Sequence, residues 1–321
     1  MTRRRRRLLA LVAALAVGVA LVNAAAYAHA RAFTTFGPPA AARTAPPQAL
    51  SLGGRLRVLF TGVSLPRPVN ARTPADEGLA YETHTVRAAD GTRLEVWRVP
   101  RAGARAVAVL THGHGGSKAS LLGVARELHA LGVEPLLVDL RGAGGSEGDR
   151  TSIGVHEALD VEAAVALARA LAPGRPLLLH GVSMGAAAAL RAVHARGVAP
   201  DLLLVEAPFD RLATTVGHRF RAMGLPAWPG ARLLLFWGGV QLGFDAVAHA
   251  PVEYAASVTC PALVLGGADD PWVRADELRA VAAAMRGPTE VVVADGVGHE
   301  ALLERRPDVW RAAVGRLLAP R

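Results

Sequence analysis

LLLHGVSMGAAAAL, residues 177–190, is the stretch that decides the fold. It begins as an apolar run typical of a buried strand and ends in alanines typical of a helix. Between them lies Gly181-x-Ser183-x-Gly185, which predicts a sharp strand-to-helix turn with the serine hydroxyl exposed at its apex. The two glycines would remove Cβ atoms that collide where the strand and the helix nearly touch.

A serine at such a turn is either a nucleophile or part of an ordinary glycine-rich turn. Because the chain has 34 glycines among 321 residues, the bare pattern carries little weight by itself. A nucleophile at Ser183 would also need a histidine base, an acid that orients the base, and two backbone N–H groups for an oxyanion. The predicted helix starts directly behind Ser183, so its free N–H groups face such an oxyanion.

The bulk composition is that of a globular chain. It is 51% hydrophobic and 20% charged, which excludes a disordered protein. Residues 3–7 and Arg31 supply six of the net +9 charges, and the remaining +3 is too small to indicate nucleic-acid binding. The single cysteine, Cys260, cannot form an internal disulfide, and no Cys/His cluster has metal spacing. We therefore predict neither a metal nor an organic cofactor.

The N-terminus is predicted to be a membrane anchor or a signal peptide. Five arginines at residues 3–7 precede an apolar run, 8–28, that is long enough to span a bilayer. Its strongest part, 8–22, also has the length of a long signal-peptide core, and Ala26-Tyr27-Ala28 and Ala28-His29-Ala30 both resemble cleavage sites. We favour an uncleaved single-pass anchor with the catalytic domain outside the cytoplasm. Cleavage would instead give a secreted or periplasmic protein.

The rest of the chain is predicted to be an α/β domain. An antiparallel pair of strands around Asp90-Gly91 is followed by short apolar strands that alternate with helices, a pattern typical of a mostly parallel sheet with helices on both faces. The predicted strands include 106–110, 134–140, 202–207, 262–266 and 290–294, and the predicted helices include 157–171 and 301–318. We divide the chain into an anchor or signal peptide (1–30), a Pro/Ala-rich linker (31–80) and a catalytic domain (81–321).

One insertion, at about 208–258, interrupts this alternation. It is far longer than a usual connection and contains several large aromatic residues. It is either extra helical packing on the sheet or a cap over the catalytic edge. We favour a small helical cap, because the insertion follows the carboxyl end of a strand, where open α/β sheets bind ligands.

A base and an acid follow in the later loops. His299 comes directly after the last predicted strand, where an imidazole can reach the Ser183 hydroxyl. After the strand at 262–266, Asp269 and Asp270 are both candidates for the acid. We favour Asp270 for its spacing in Gly-x-x-Asp-x-x-Val and for the proline after it, with Asp210 a remote third. The order Ser183, Asp270, His299 is the order that this architecture uses.

The two oxyanion donors are predicted to be the N–H groups of Met184 and His114. Met184 follows the nucleophile, and His114 lies in the glycine-rich loop after the strand at 106–110. His112 and His114 have no third ligand at metal spacing, which argues against a metal site. We interpret the glycine-rich turn at 139–146 as structural, because it lacks the ending of a phosphate-binding loop.

With these residues identified, the part of the chain from Tyr81 to Arg321 resembles the α/β-hydrolase superfamily. The resemblance rests on five motifs: His112-Gly113-His114-Gly115, Asp139-Leu140-Arg141-Gly142-Ala143-Gly144-Gly145-Ser146, Gly181-Val182-Ser183-Met184-Gly185, Gly267-Ala268-Asp269-Asp270 and Gly298-His299. Glu206-Ala207-Pro208-Phe209-Asp210 also resembles membrane-anchored members of the BEM46-like type. The resemblance implies an eight-stranded, mostly parallel sheet and a serine hydrolase. Similar proteins are usually esterases, thioesterases or lysophospholipases, and less often peptidases.

The sequence therefore predicts a serine hydrolase that cleaves carboxylic esters or thioesters through an acyl-enzyme on Ser183. The aromatic cap and a nearby bilayer suggest acyl lipids among the substrates. The expected partners are a small-molecule or lipid ester and, through the N-terminal helix, a membrane. A peptidase of the prolyl-oligopeptidase type and a catalytically inactive membrane-bound binding module are the alternatives.

Overall fold

One eight-stranded sheet forms the centre of the molecule in the computed structural model, which describes residues 2–46 and 49–319. The strand order is β1-β2-β4-β3-β5-β6-β7-β8. Only β1 and β2 run antiparallel to their neighbours, and the remaining pairs are parallel. This confirms the predicted eight-stranded, mostly parallel sheet. The strands are β1 (Glu82–Arg87), β2 (Arg93–Arg98), β3 (Ala106–Thr111), β4 (Val133–Val138), β5 (Leu177–Val182), β6 (Leu202–Glu206), β7 (Ala262–Gly267) and β8 (Thr289–Ala294).

Helices cover both faces of the sheet. Strands β3, β4 and β7 are buried at every residue, as expected for parallel strands between two helical layers. Val107 and Val109 of β3 pack into one layer, and Ala108 and Leu110 pack into the other. The first layer includes α4 (Glu157–Leu171), α5 (Met184–Arg196), α8 (Pro251–Ala255) and α9 (Ala275–Ala284); the second includes α3 (Leu122–Ala130), α10 (Leu302–Arg305) and α11 (Pro307–Leu317).

The single helix predicted at 301–318 is two helices, so that prediction is wrong in detail. The break lies at Arg306, whose φ of −136° and ψ of 64° are not helical. Pro307 causes it, because a proline ring disfavours the α conformation in the preceding residue. The second helix, α11, then buries Trp310 completely.

The N-terminal helix α1 (Arg3–Thr34) continues beyond the predicted boundary at residue 30. Its residues 3–22 are exposed, and it is long and apolar enough to cross a membrane. Its last turns pack on α7 (Gly230–Leu242), a helix of the predicted cap. There Trp237 Nε1 donates to Asn23 Oδ1 (3.1 Å), and Gln241 Nε2 donates to the Tyr27 carbonyl (2.9 Å). One end of α1 is thus free of the domain and the other is part of it.

The described residues of the predicted linker, 31–46 and 49–80, pack along the domain rather than extending as a spacer. It contains α2 (Leu52–Thr61) and a short 3₁₀ helix (Pro74–Glu77). The Phe36 N–H donates to the Asp149 carbonyl (2.7 Å), and Arg43 Nη2 donates to the Gly115 carbonyl (2.8 Å). Composition alone suggested a linker because Pro and Ala are common in linkers, but these long-range hydrogen bonds depend on the fold.

A buried ion cluster joins the loop after β3 to the turn after β4. Lys118 is completely buried, and its Nζ lies 2.6 Å from Glu95 Oε1 and forms an ion pair with Asp139. Asp139 also accepts from the backbone N–H groups of Lys118 (2.8 Å) and Gly145 (2.9 Å). Burial alone would raise the pKa of Asp139, but the charges of Lys118 and His112 and the hydrogen bonds from Lys118 together outweigh burial and lower it. The cluster supports the structural interpretation of the turn at 139–146.

Removal of Asp139 should therefore destabilise the fold strongly. The change Asp139→Ala leaves the Lys118 ammonium buried without one of its two carboxylates, and breaking such a pair costs about 3–5 kcal/mol. The free energy of unfolding is measured by urea denaturation of the detergent-solubilised chain. Asp149→Ala is the control, because Asp149 is exposed and should change stability by less than about 0.5 kcal/mol. Equal losses in the two variants would show that the cluster does not stabilise the fold.

Candidate active site

Ser183 lies at the sharp turn between β5 and α5, with φ 51° and ψ −109°. A non-glycine residue at positive φ is strained and needs support from its surroundings. A Cβ on Gly181 would lie 2.5 Å from the Gly185 backbone, and one on Gly185 would lie 2.5 Å from the Thr111 carbonyl oxygen. The predicted need for two glycines is confirmed, although Gly185 makes its close approach to β3 rather than to β5.

Glu206, at the end of β6, stabilises the turn through a backbone hydrogen bond. The Ser183 N–H donates to the Glu206 carbonyl (2.8 Å). The buried Glu206 side chain is held by His180 Nε2 (3.0 Å) and by Trp310 Nε1 (2.9 Å). We did not assign Glu206 a role from the sequence, although an acidic residue that ends an apolar strand was a signal that it needs buried partners.

The structure brings Ser183, His299 and Asp270 into one chain of hydrogen bonds. His299 Nε2 lies 3.1 Å from Ser183 Oγ, and His299 Nδ1 lies 2.6 Å from Asp270 Oδ2. The other oxygen of the buried Asp270 accepts from the N–H groups of Trp272 (2.8 Å) and Val273 (3.0 Å). Hydrogen bonds thus hold both oxygens of the Asp270 carboxylate.

The two other aspartates considered from the sequence lie elsewhere. Asp269 is exposed, and only its backbone N–H bonds to this loop, at the Val297 carbonyl (3.0 Å). The Asp210 side chain accepts from the Arg211 N–H (2.5 Å). Of the three candidates, only Asp270 contacts His299 in the described residues.

The predicted oxyanion donors flank the serine. Met184 is the first residue of α5, where a helix leaves its N–H groups without an intrahelical partner. His114 belongs to the loop after β3, which packs on the turn so closely that a Cβ on Gly113 would lie 3.7 Å from Ser183 Cβ. Both Ser183 and His114 line the same cleft, whose volume is about 380 Å³.

The end of α1 and the residues after it cover the loop at 112–116, which we call the oxyanion loop because it contains the predicted donor His114. The Phe33 ring stacks on the His114 imidazole at 4.9 Å, and Phe36 lies 6.0 Å from it. Burial, together with the positive charge of Arg219, lowers the pKa of His114 to about 4, so the imidazole is neutral. No local sequence pattern indicated this contact, because it joins residues about eighty positions apart.

Comparison with known proteins agrees with this architecture. Residues 102–237 match the family model described as serine aminopeptidase, S33. The uncharacterized protein Rv2307c of Mycobacterium tuberculosis is 34% identical over 231 residues, which cover 70% of this chain and 73% of that protein. The chain belongs to the α/β-hydrolase superfamily. YqkD of Bacillus subtilis, also uncharacterized, is 27% identical to this α/β-hydrolase over 191 residues, 59% of this chain and 63% of that protein.

Solved structures share the fold of this α/β-hydrolase. The Pyrococcus furiosus esterase Pf2001 aligns with a TM-score of 0.66 and 22% identity, over 79% of this chain and 96% of that one. A bacterial membrane phospholipase A aligns with a TM-score of 0.54 and 18% identity, over 74% and 86%. At these identities the likeness establishes the fold.

The cleft also contains a residue that our sequence analysis missed. Helix α6 (Leu212–Ala222) contributes Arg219, which among the described residues is the only member of the 208–258 insertion to line the cleft. Nothing in the local sequence distinguishes Arg219 from its neighbour Arg221, which is exposed. The difference arises only when α6 packs at the edge of the sheet.

The strained turn gives a direct prediction. Gly185→Ala places a methyl group against the Thr111 carbonyl. We expect the overpacking to lower the free energy of unfolding by about 1–3 kcal/mol and to slow the fluorophosphonate labelling of Ser183. Both quantities are measured on the detergent-solubilised chain. The matched control is Gly315→Ala on α11, where a Cβ meets nothing within 4 Å. A Gly185→Ala protein as stable and as reactive as the control would contradict the tight approach.

Proposed function

We propose that this α/β-hydrolase cleaves carboxylic esters or thioesters through an acyl-enzyme on Ser183. The observation that carries the proposal is the hydrogen-bond chain Ser183–His299–Asp270, whose serine and histidine line one cleft together with His114. That arrangement supplies a nucleophile, a base, an orienting acid and an oxyanion site in one cleft. The esterase and phospholipase activities named for the structural relatives are consistent with it.

The reaction follows from these positions. Ser183 Oγ attacks the carbonyl carbon while its proton passes to His299 Nε2, and Asp270 holds the Nδ1–H and stabilises the imidazolium. The N–H groups of Met184 and His114 bind the oxyanion. His299 then returns the proton to the leaving alcohol or thiol as the acyl-enzyme forms. A water molecule, deprotonated by His299, releases the acid and restores Ser183.

The triad is tested by paired substitutions at the adjacent aspartates. Asp270→Asn should lower kcat for p-nitrophenyl butyrate by about 10⁴-fold, because the imidazole loses its orienting acceptor. Asp269→Asn should stay within about twofold of wild type, because that side chain is exposed and makes no contact with His299. Ser183→Ala should abolish labelling by a fluorophosphonate probe.

The outcomes separate the alternatives. Labelling that survives Ser183→Ala would disprove the nucleophile, and a folded wild type that neither labels nor turns over would point to the inactive binding module. The family description favours a peptidase as the second candidate function, and peptide anilides tested beside the esters decide between them. The cleft argues for esters, because an aminopeptidase must bind a cationic amino group and Arg219 would repel it.

We further propose that the N-terminal helix is an uncleaved single-pass anchor, with the catalytic domain outside the cytoplasm. Cleavage after Ala28 or Ala30 would remove Asn23 and Tyr27, which bond to α7, and would uncover the face of α7 on which α1 packs. Phe236 and Val240 of α7 remain more than half exposed next to the anchor. Apolar groups at that place suit contact with a bilayer, which would supply acyl lipids as substrates.

This proposal predicts the mature N-terminus. The chain extracted from membranes should have the intact mass of the uncleaved protein and should stay in the membrane fraction after a carbonate wash. The Ser183→Ala variant is the control, since it excludes any self-processing. A mature N-terminus at His29 or Arg31 would show that the segment is a signal peptide.

A further inference from the structure

One cation in the catalytic cleft lacks an acidic partner. Arg219 lines the cleft together with Ser183 and His299. Within the described ranges, 2–46 and 49–319, its guanidinium forms neither an ion pair nor a hydrogen bond with another side chain, and Asp270 is the group whose charge it feels. Burial lowers the pKa of Arg219 to about 10, so it keeps its charge at neutral pH. A half-buried, unpaired cation is costly unless a ligand neutralises it.

Aromatic rings, rather than hydrogen bonds, hold the guanidinium in place. Its central carbon lies 5.2 Å from the centre of the Phe33 ring and 4.8 Å from that of Trp272. Phe33 stacks on His114, and the Trp272 N–H bonds Asp270. The cation is therefore fixed between the oxyanion loop and the triad acid by cation–π contacts. These contacts leave its planar N–H donors available to a ligand.

A second positive charge, that of Arg43, contacts the same loop. Arg43 Nη2 donates to the Gly115 carbonyl, and the charge of Arg43 contributes to the lowered pKa of His114. The acids that line the cleft do not neutralise Arg219. Glu206 is bonded to His180 and Trp310, Glu300 pairs with Arg305 at 2.8 Å, and Glu304 is exposed.

The geometry points to Arg219 as the binding residue for a negatively charged oxygen group, a carboxylate or a phosphate, that the substrate carries near its scissile ester. Guanidinium binds both groups through paired N–H donors. The inference rests on the proposed ester hydrolysis and narrows its substrate class to anionic esters. The anion can come from the phosphate of a lysophospholipid or from the free carboxylate of a dicarboxylic half-ester.

Two pairs of substrates, each differing in one charged group, test the inference. The lipid pair is 1-palmitoyl lysophosphatidic acid and monopalmitoylglycerol in mixed micelles, and the soluble pair is the p-nitrophenyl half-ester of adipic acid and p-nitrophenyl hexanoate. We expect wild type to prefer the anionic member of at least one pair by about 10- to 100-fold in kcat/KM, the range for a hydrogen-bonded charge. Preference for the phosphate identifies a phospholipid source, and preference for the carboxylate identifies a half-ester.

The matched variants are Arg219→Gln and Arg221→Gln, two positions apart on α6. Arg219→Gln should bring the anionic-to-neutral ratio close to one, mainly through KM, and Arg221→Gln should leave it at the wild-type value, because Arg221 is exposed. Titration with a fluorophosphonate normalises each rate to reactive Ser183. Arg219→Lys keeps the charge and should keep part of the preference, which gives a second measure if the glutamine variant does not fold.

The outcomes distinguish this inference from the proposed function. Wild type that hydrolyses the neutral esters without preferring the anionic ones, or an Arg219→Gln ratio equal to that of wild type, overturns the anion site and leaves the hydrolase standing. Absence of both labelling and turnover in folded wild type overturns the two together.

Discussion

The rest of the site depends on how closely the backbone of α5 approaches β5 and β3 at Ser183. That approach leaves no space for a Cβ at Gly181 or Gly185, and it holds Ser183 at positive φ. The strain is supported by the Glu206 carbonyl and by the buried bonds of its side chain. Because the turn is bound to three strands, the direction of the Ser183 Cα–Cβ bond is fixed. His299 and the oxyanion loop lie in that direction.

The N-terminal segment joins the exposed apolar part of α1 to residues that line the cleft. The free part of α1 is apolar and exposed, its middle bonds to α7, and Phe33 near its end stacks on His114. Because α1 is one continuous helix, its exposed part and the contact with His114 belong to the same element. The segment that composition describes as a tail and a linker therefore packs on two residues that line the cleft, His114 and Gly115. This arrangement places α7, a helix of the predicted cap, beside α1.

Two cations, the buried Lys118 and the half-buried Arg219, show how the surroundings of a charge indicate its role. Lys118 is completely enclosed and paired with Glu95 and Asp139, so carboxylates of the protein neutralise its charge. The ion pair with Asp139 connects the loop after β3 to the turn after β4. Arg219 has aromatic neighbours and an open cleft, and its field reaches His114 and Asp270. The same physical rule, that a desolvated charge needs a partner, accounts for a structural contact in the first case and predicts a ligand in the second.

The sequence alone determined the sheet, the turn at Ser183 and the edge at which the candidate site residues meet. These depend on local patterns: apolar strands, glycines at fixed offsets, and polar residues directly after strands, which parallel topology collects at one edge. The break before Pro307 was also local and could have been predicted. The spacing in the sequence already favoured Asp270 over Asp269, and the structure shows Asp270 in contact with His299. Only the tertiary structure decided that Phe33 covers the oxyanion loop and that Arg219 rather than Arg221 enters the cleft. Both outcomes depend on the direction in which a packed element points its side chains, and a local sequence pattern does not contain that information.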